Sequence, residues 1–296
     1  MSDLELSLDP LAGGHSGRTF LGEVGGERAV VRIYPPGDGR GSAAPEVDRA
    51  VLRLVRGLVP VPEVLEARRE DAASGLPGLL VTAYVPGERG DLVLPGLDED
   101  GTRRFGRSMG RVAGTLAGMP MLRPGPFVDP DLSVGRFPGD DLGEWIESRL
   151  PGWPQGRRAS LVEAAGPAQD VLDTVGRTCV VHSDLNPKNV LVDPGTLEPT
   201  AVLDWEFAHA GHPWTDVGNL VRFERHPAYV EAVLEAWTGL RGGSPEELLA
   251  GARAADLWAL IDLAARVGTN PVADRADVLL RAIAETGDLH AWPFGD

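Results

Sequence analysis

Lysine and cysteine are nearly missing from this chain of 296 residues, with Lys188 and Cys179 the single example of each. One cysteine cannot form an intramolecular disulfide, and its place in the apolar run 178–181 reads as a small buried hydrophobe in a reducing, cytoplasmic setting. No apolar run approaches the roughly 20 residues that span a bilayer. No basic stretch followed by an apolar core opens the sequence, so neither a membrane partner nor a secretory signal is expected. Positive charge is scarce too: 28 Lys and Arg stand against 44 Asp and Glu, a formal net charge of −16. That balance argues against a nucleic-acid-binding surface, which would need clustered Lys and Arg. It is compatible with steering a cationic small molecule, although many acidic enzymes are simply soluble. The rest is ordinary for a globular protein, 43% hydrophobic and 24% charged, and long enough for one large or two modest domains.

Against this plain background two segments stand out: residues 181–189, Val-His-Ser-Asp-Leu-Asn-Pro-Lys-Asn, and the later Val202-Leu203-Asp204-Trp205-Glu206. Short apolar β-formers flank the first at 178–181 and 190–192, which predicts a strand–loop–strand frame with its polar residues on a tight loop stiffened by Pro187. Asp193-Pro194-Gly195-Thr196 is a turn signal, after which 200–203 returns the chain and delivers Asp204 beside the first loop. His-x-Asp-x4-Asn followed by a strand-terminal Asp supplies what phosphoryl transfer needs. Asp184 can orient and deprotonate a hydroxyl, while Asn189 and Asp204 can hold magnesium against nucleotide phosphates. Magnesium prefers hard oxygen ligands and takes only one or two protein carboxylates. Taken singly, Asp184 reads better as a turn cap; the whole constellation points to the chemistry. His182, behind an apolar strand, is expected to pack and hydrogen-bond rather than move protons. Lys188 either touches the transferring group or faces solvent.

These residues resemble the aminoglycoside phosphotransferase family, small-molecule kinases of the protein-kinase-like fold. The resemblance covers nearly the whole chain and is strongest from His182 through Asp216-Val217-Gly218-Asn219. It implies an α+β, bilobal kinase-like architecture. A small β-rich nucleotide-binding lobe with the hinge would occupy residues 1–85, and a larger, mainly helical catalytic and acceptor-binding lobe residues 86–296. By this resemblance Asp184 is the catalytic base, Asn189 and Asp204 are the magnesium ligands, and Asp216 is a buried acid bracing the loop. The co-substrate is ATP, with GTP left open.

The order of elements upstream fits that frame. A glycine-rich turn at 11–20 opens into a strand, and Ser16 and Gly17 are expected near the phosphates because small residues let backbone amides approach closely. Lacking a full G-x-G-x-x-G pattern, the same turn also reads as an ordinary hairpin. Arg32 falls where a kinase carries lysine, over the α- and β-phosphates, and arginine stays charged and engages phosphate bidentately. The helical run 45–56 offers Glu46 as the partner of Arg32, with Asp48 as the rival and a favourable helix-terminal charge as the plainer role for Glu46. The strand 78–85, halted by Pro86-Gly87, falls at the hinge position. Backbone groups of Ala83, Tyr84 and Val85 would then meet the adenine edge, with Thr82 behind the base and Leu191 completing the nucleotide contacts. Helical spacing recurs at 98–116, 141–150, 158–175 and after Trp214, with a Gly/Pro-rich connection at 118–139.

No activation segment closed by Ala-Pro-Glu follows Asp204, so the acceptor is expected to be a small molecule rather than a protein. Glu206, Asp256 and Asp262 are the acidic candidates for binding it, with Glu224 beside them, and Trp205, Trp214 and Trp258 could offer flat faces. Each has a plainer role, since helical acids are usually solvated and tryptophans usually core. An acidic pocket would suit a cationic aminoglycoside or a basic peptide antibiotic, inactivated by O-phosphorylation. A metabolic kinase for a sugar, amino alcohol or glycated amine is the alternative. A non-catalytic, nucleotide-responsive binding protein is the second.

Overall fold

Short β-branched runs near the N-terminus pair into one antiparallel sheet. The computed structural model describes residues 7–11, 18–24, 26–37 and 39–295. Strands β1 (Ser7–Pro10), β2 (Arg18–Val24) and β3 (Glu27–Tyr34) form a meander. Helix α1 (Ala44–Val55) follows, with proline in its first turn, and buries Val47, Val51, Leu52 and Val55 along one side. Strands β4 (Val64–Arg68) and β5 (Gly78–Ala83) complete a five-stranded sheet in the order β1-β2-β3-β5-β4.

After β5 the chain leaves this sheet at once. Strand β6 (Glu88–Arg89), α2 (Gly90–Val93) and α3 (Glu99–Leu116) come next, and Asp98 caps α3 by accepting the Gly101 N–H at 2.8 Å. The Gly/Pro-rich connection supplies β7 (Pro120–Met121) and β8 (Gly125–Pro126) and leads to α4 (Leu142–Arg149) and α5 (Gln155–Asp173). Then come β9 (Thr178–Val181), β10 (Val190–Val192), β11 (Pro199–Val202) and β12 (His209–Gly211). Four helices close the chain: α6 (Thr215–Val221), α7 (Pro227–Arg241), α8 (Pro245–Ala264) and α9 (Pro271–Thr286).

The strands on either side of the polar loop lie in different sheets. β10 sits between β11 and β6, whereas β9 lies in a four-stranded sheet of order β7-β9-β12-β8. The 118–139 connection is therefore built into the frame, since β7 and β8 form its outer strands. Two apolar cores lie behind the loop. One joins α1, α3 and α7 to the small sheets, and the other joins α4, α5, α8 and α9. Trp214 packs against both.

Helices α3 and α7 pack closely because α3 presents glycine every fourth residue. A Cβ at Gly106 would lie 2.6 Å from the Tyr229 carbonyl oxygen, and one at Gly110 would lie 2.4 Å from that of Val233. Both obstacles are backbone, so the helices would have to separate. Gly239, exposed in α7, has nothing within 4 Å of its would-be Cβ. Gly110→Ala is predicted to destabilise by about 1–3 kcal/mol through overpacking. Gly239→Ala should stabilise by about 0.5–1 kcal/mol through helix propensity alone. Denaturant titration of both variants checks the contrast; equal shifts would mean that α3 does not need its glycines for packing.

Candidate functional site

The loop after β9 is fixed from below by a buried carboxylate. Asp216, 2% exposed in the first turn of α6, accepts the backbone N–H of His182 at 3.0 Å and of Ser183 at 2.8 Å. Burial raises its pKa above the ordinary aspartate value, while those two N–H groups and the nearby His182 oppose the rise. Ser183 takes a left-handed φ of 65°, a conformation that a non-glycine residue adopts at a cost. His182 is fully buried. Its Nδ1 accepts the Asp184 N–H at 3.2 Å, so its Nε2 carries the proton and donates to the Leu203 carbonyl at 2.8 Å. Its ring lies 4.6 Å from that of Trp205. Both ring nitrogens are thus used in holding the loop.

Asp184 is presented by two amides. Asn186 Nδ2 donates to Oδ1 at 3.0 Å, and Asn189 Nδ2 donates to Oδ2 at 2.8 Å. Both amides also reach the Asp184 carbonyl, at 3.0 and 2.9 Å. Asn189 Oδ1 is left without a partner among the described residues, pointing its hard oxygen away from the bond that orients Asp184. The Asn186 side chain also accepts the Lys188 N–H at 3.0 Å, capping the short turn 187–189. Sequence reasoning missed Asn186; the signal was a second asparagine in the same Asp-x-Asn-x-x-Asn run. Lys188 is half-buried, and its ammonium has no partner among the described residues.

Leu203 joins the two loops. Its N–H donates to the Asn189 carbonyl at 2.8 Å while its own carbonyl takes the His182 proton. Asp204 follows immediately with a left-handed φ of 64° and ψ of 60°. Its Oδ1 accepts Arg32 Nη1 at 2.7 Å, and the other terminal nitrogen of Arg32 binds Glu206. Burial by itself lowers the Arg32 pKa, but Asp204, then Tyr34 and Glu206, push it above the ordinary guanidinium value.

This corrects the pairing expected for Arg32. Glu46 binds Arg69, and Asp48 is taken by Tyr34 at 2.6 Å and by Arg40. The physical reason is reach: the forked guanidinium finds two acids in the 204–206 turn, and α1 spends its own acids on nearer cations. Glu46 therefore does not reach the nucleotide side through Arg32, and Glu206 lies with Arg32 rather than open to an acceptor.

Among the described residues no cluster of three or more His, Cys, Asp and Glu is poised to hold a metal. Magnesium needs no such cage. Asp204 and the spare Oδ1 of Asn189 provide one carboxylate and one amide oxygen, a donor set that fits the ion alongside phosphate and water.

On the nucleotide side, Ser16 and Gly17 lie outside the described residues. Thr82 opposes Val30 across the sheet. The N–H of Ala83 donates to Glu63 at 2.8 Å and that of Tyr84 to Arg28 at 3.2 Å, so neither amide is open to a ligand. Among the described residues the Val85 N–H has no acceptor, which narrows the hinge donors from three to one. Leu191, half-buried in β10, stands opposite Arg89. Gly87 crosses it closely: a Cβ there would come within 2.5 Å of Thr200 Oγ1 and 3.1 Å of Leu191 Cβ.

The acidic wall expected on the acceptor side is not there. Asp256, 1% exposed, is gripped by Arg222 through Nε at 3.0 Å and Nη2 at 2.7 Å. A carboxylate buried and paired this way lines no open wall for a polyamine. Asp262 lies on the exposed side of α8, paired with Arg149 at 3.7 Å and Arg266 at 3.5 Å. Trp205 is core, with its indole N–H donating to Val202 at 2.9 Å, and Trp258 packs on Trp145 with ring centres 5.7 Å apart. Cys179 is buried, which pushes its thiol pKa up to about 12.

Solved structures share this arrangement of elements. A thermostable mutant of aminoglycoside phosphotransferase APH(4)-Ia, in ternary complex with ADP and hygromycin B, superposes with a TM-score of 0.68 at 22% identity, covering 97% of this chain and 95% of that one. The GDP complex of aminoglycoside 2'-phosphotransferase-IIIa gives 0.69 at 16% identity, with 97% and 95% covered. Among curated proteins, acyl-CoA dehydrogenase family member 10 of Mus musculus is 26% identical over 214 residues, 69% of this chain but 19% of that protein. Family member 11 of Mus musculus is 27% identical over 236 residues, 75% of this chain and 28% of the relative. The chain therefore spans less than about a third of the length of these curated relatives. The model of the phosphotransferase enzyme family, APH, matches residues 7–250. The chain accordingly belongs to the phosphotransferase enzyme family and has its α+β, bilobal kinase-like fold.

Proposed function

We propose that the protein transfers the γ-phosphoryl group of ATP, with magnesium, to a hydroxyl of a small metabolite. The observation that carries this reading is Asp184 held by Asn189 Nδ2 at 2.8 Å, while the Asn189 carbonyl accepts the N–H of Leu203, the residue before Asp204. Each Asp184 oxygen accepts one amide, which leaves a lone pair for the acceptor hydroxyl. The carboxylate would align that hydroxyl with the γ-phosphorus and take its proton as the new P–O bond forms. Magnesium, when bound by Asn189 and Asp204, would neutralise charge on the β- and γ-phosphates. Arg32 would exchange its carboxylate partners for phosphate oxygens, since a guanidinium serves either acceptor.

We place the boundary between lobes at residues 85 and 86. The support is that β6 already pairs with β10 of the catalytic hairpin. A reducing cytoplasm fits the single buried Cys179.

For the acceptor, inactivation of a cationic antibiotic loses its sequence-level support once Glu206 and Asp256 are spent on arginines and Asp262 is paired at the surface. A metabolic acceptor is the better reading. The dehydrogenase names of the mouse relatives are not carried over, because the match spans so little of those proteins.

Asp184→Asn is expected to lower turnover by about 10²–10⁴-fold while ATP binding, followed by calorimetry, persists. Near-wild-type turnover would remove Asp184 from the role of base. Chelation with EDTA should abolish ADP release and added magnesium should restore it; activity that survives chelation would exclude the metal role of Asn189 and Asp204.

Arg32→Ala should raise the KM for ATP by about 10–100-fold, the worth of one or two charge-assisted hydrogen bonds. Arg32→Lys should recover much of that loss, since lysine also binds phosphate. An unchanged KM for ATP, with GTP assayed in parallel, would mean that Arg32 serves only to tie the 204–206 turn.

A further inference from the structure

Three guanidinium groups gather where α6 ends against α8 and the C-terminal segment. Arg222, immediately after α6, grips Asp256 of α8 with its Nε and Nη2. Arg253, one turn earlier on α8 and 6% exposed, donates Nη1 to the Val221 carbonyl at 2.6 Å. Its Nε is buried with no acceptor among the described residues. The Nε of Arg225 is likewise buried without an acceptor among the described residues, and its guanidinium lies 4.8 Å over the Trp292 ring. Asp256 is the buried acid shared by all three cations, and exposed Asp288 is the other carboxylate whose charge reaches Arg225. His290 lies in the same field, its basicity lowered by burial and then by Arg253.

Such an arrangement is costly as bare scaffolding. A buried N–H without a partner forfeits its hydrogen bond with water, and like charges in a partly dry site repel. Burial, then Arg225, holds the Arg253 pKa down at about 9, and burial holds that of Arg225 at about 10. A chain with 44 acids and 28 bases has carboxylates to spare, yet leaves these two guanidiniums short of them. The cluster also sits close to the site. α6 carries Asp216, which holds the catalytic loop, at one end and Arg222 at the other, and the charges of Arg222 and Asp184 act on each other.

Resting on the kinase reading above, we propose that Arg225 and Arg253, positioned by the Arg222–Asp256 pair, form an anion subsite for the acceptor. The acceptor then carries a carboxylate or a phosphate at a distance from the hydroxyl presented to Asp184. In the transfer the acceptor oxygen bonds to the γ-phosphorus and the bond from that phosphorus to the β–γ bridging oxygen breaks. The hydroxyl proton passes to Asp184, and ADP leaves.

The test is ADP release from Mg-ATP with three acceptor sets: hydroxycarboxylates, sugar and polyol phosphates, and aminoglycosides. Arg225→Gln is the variant, because Arg225 is only partly buried and the KM for ATP reports on its folding. The expected result is turnover with one of the two anionic sets, the responding set telling carboxylate from phosphate. Its acceptor KM should rise at least tenfold in Arg225→Gln while the KM for ATP is kept. Turnover confined to aminoglycosides, or an anionic acceptor whose KM ignores Arg225→Gln, overturns the subsite and leaves the kinase reading standing. Turnover with none of the sets also overturns it. In that case residual ATP hydrolysis decides the broader reading: dependence on Asp184 keeps the kinase assignment, and independence removes it.

Discussion

One residue decides whether the site exists. Leu203 donates its N–H to the Asn189 carbonyl and lends its own carbonyl to the His182 ring, so a single residue ties together both ends of the 182–189 loop. The two strands around that loop belong to separate sheets and cannot fix it by direct pairing. With Leu203 clamped, the next residue must turn sharply, and Asp204 enters the left-handed region to do so. That turn aims its carboxylate at Arg32. Displacing Leu203 would separate the proposed base from one of the proposed metal ligands even with every side chain intact.

The histidine is explained by the same clamp. An imidazole has one donor and one acceptor when neutral, and His182 uses the acceptor on the Asp184 N–H and the donor on Leu203. Protonating the ring would break the first bond. Asp216 answers a separate problem, because the loop has two consecutive buried N–H groups facing inward and no strand to receive them. A carboxylate with two oxygens satisfies both, at the cost of its own desolvation. The strain at Ser183 and Asp204 is borne by these bonds, which is why the loop needs so many polar residues around a short stretch of chain.

The hairpin that carries Asp184 was legible in the sequence because its signals are local. Apolar runs, a proline and a turn bracket polar residues whose spacing is set by covalent geometry. Helices α1 and α3 to α5 were also legible, since 3.6-residue periodicity and end signals define them without outside help. The partners of charged side chains were not. Arg32 meets Asp204 at a sequence separation of 172, and nothing in α1 reveals that Glu46 is drawn off by Arg69. Periodicity says which face of α8 carries Asp256 but not that Arg222 waits opposite. Asn186 was overlooked for the converse reason: its function lies in a second-neighbour bond to Asp184 that looks like an ordinary turn cap.

Charge is where global composition misleads most. A net of −16 invites the idea of an acidic pocket for a cationic ligand, but that total is a sum over a solvated surface on which charges are screened within about 8–10 Å. Inside the molecule the sign is set by which groups lose their water together. Around Arg32 two acids share one cation, which leaves the proposed metal position negative. Around Asp256 the ratio is inverted, three guanidiniums to one buried acid. A kinase must hold a polyanionic nucleotide beside a base without letting either repel the other. On the proposed reading, the acids around Arg32 would face the metal and the guanidiniums around Asp256 the acceptor, two regions of opposite sign served by one short hairpin and the helix behind it.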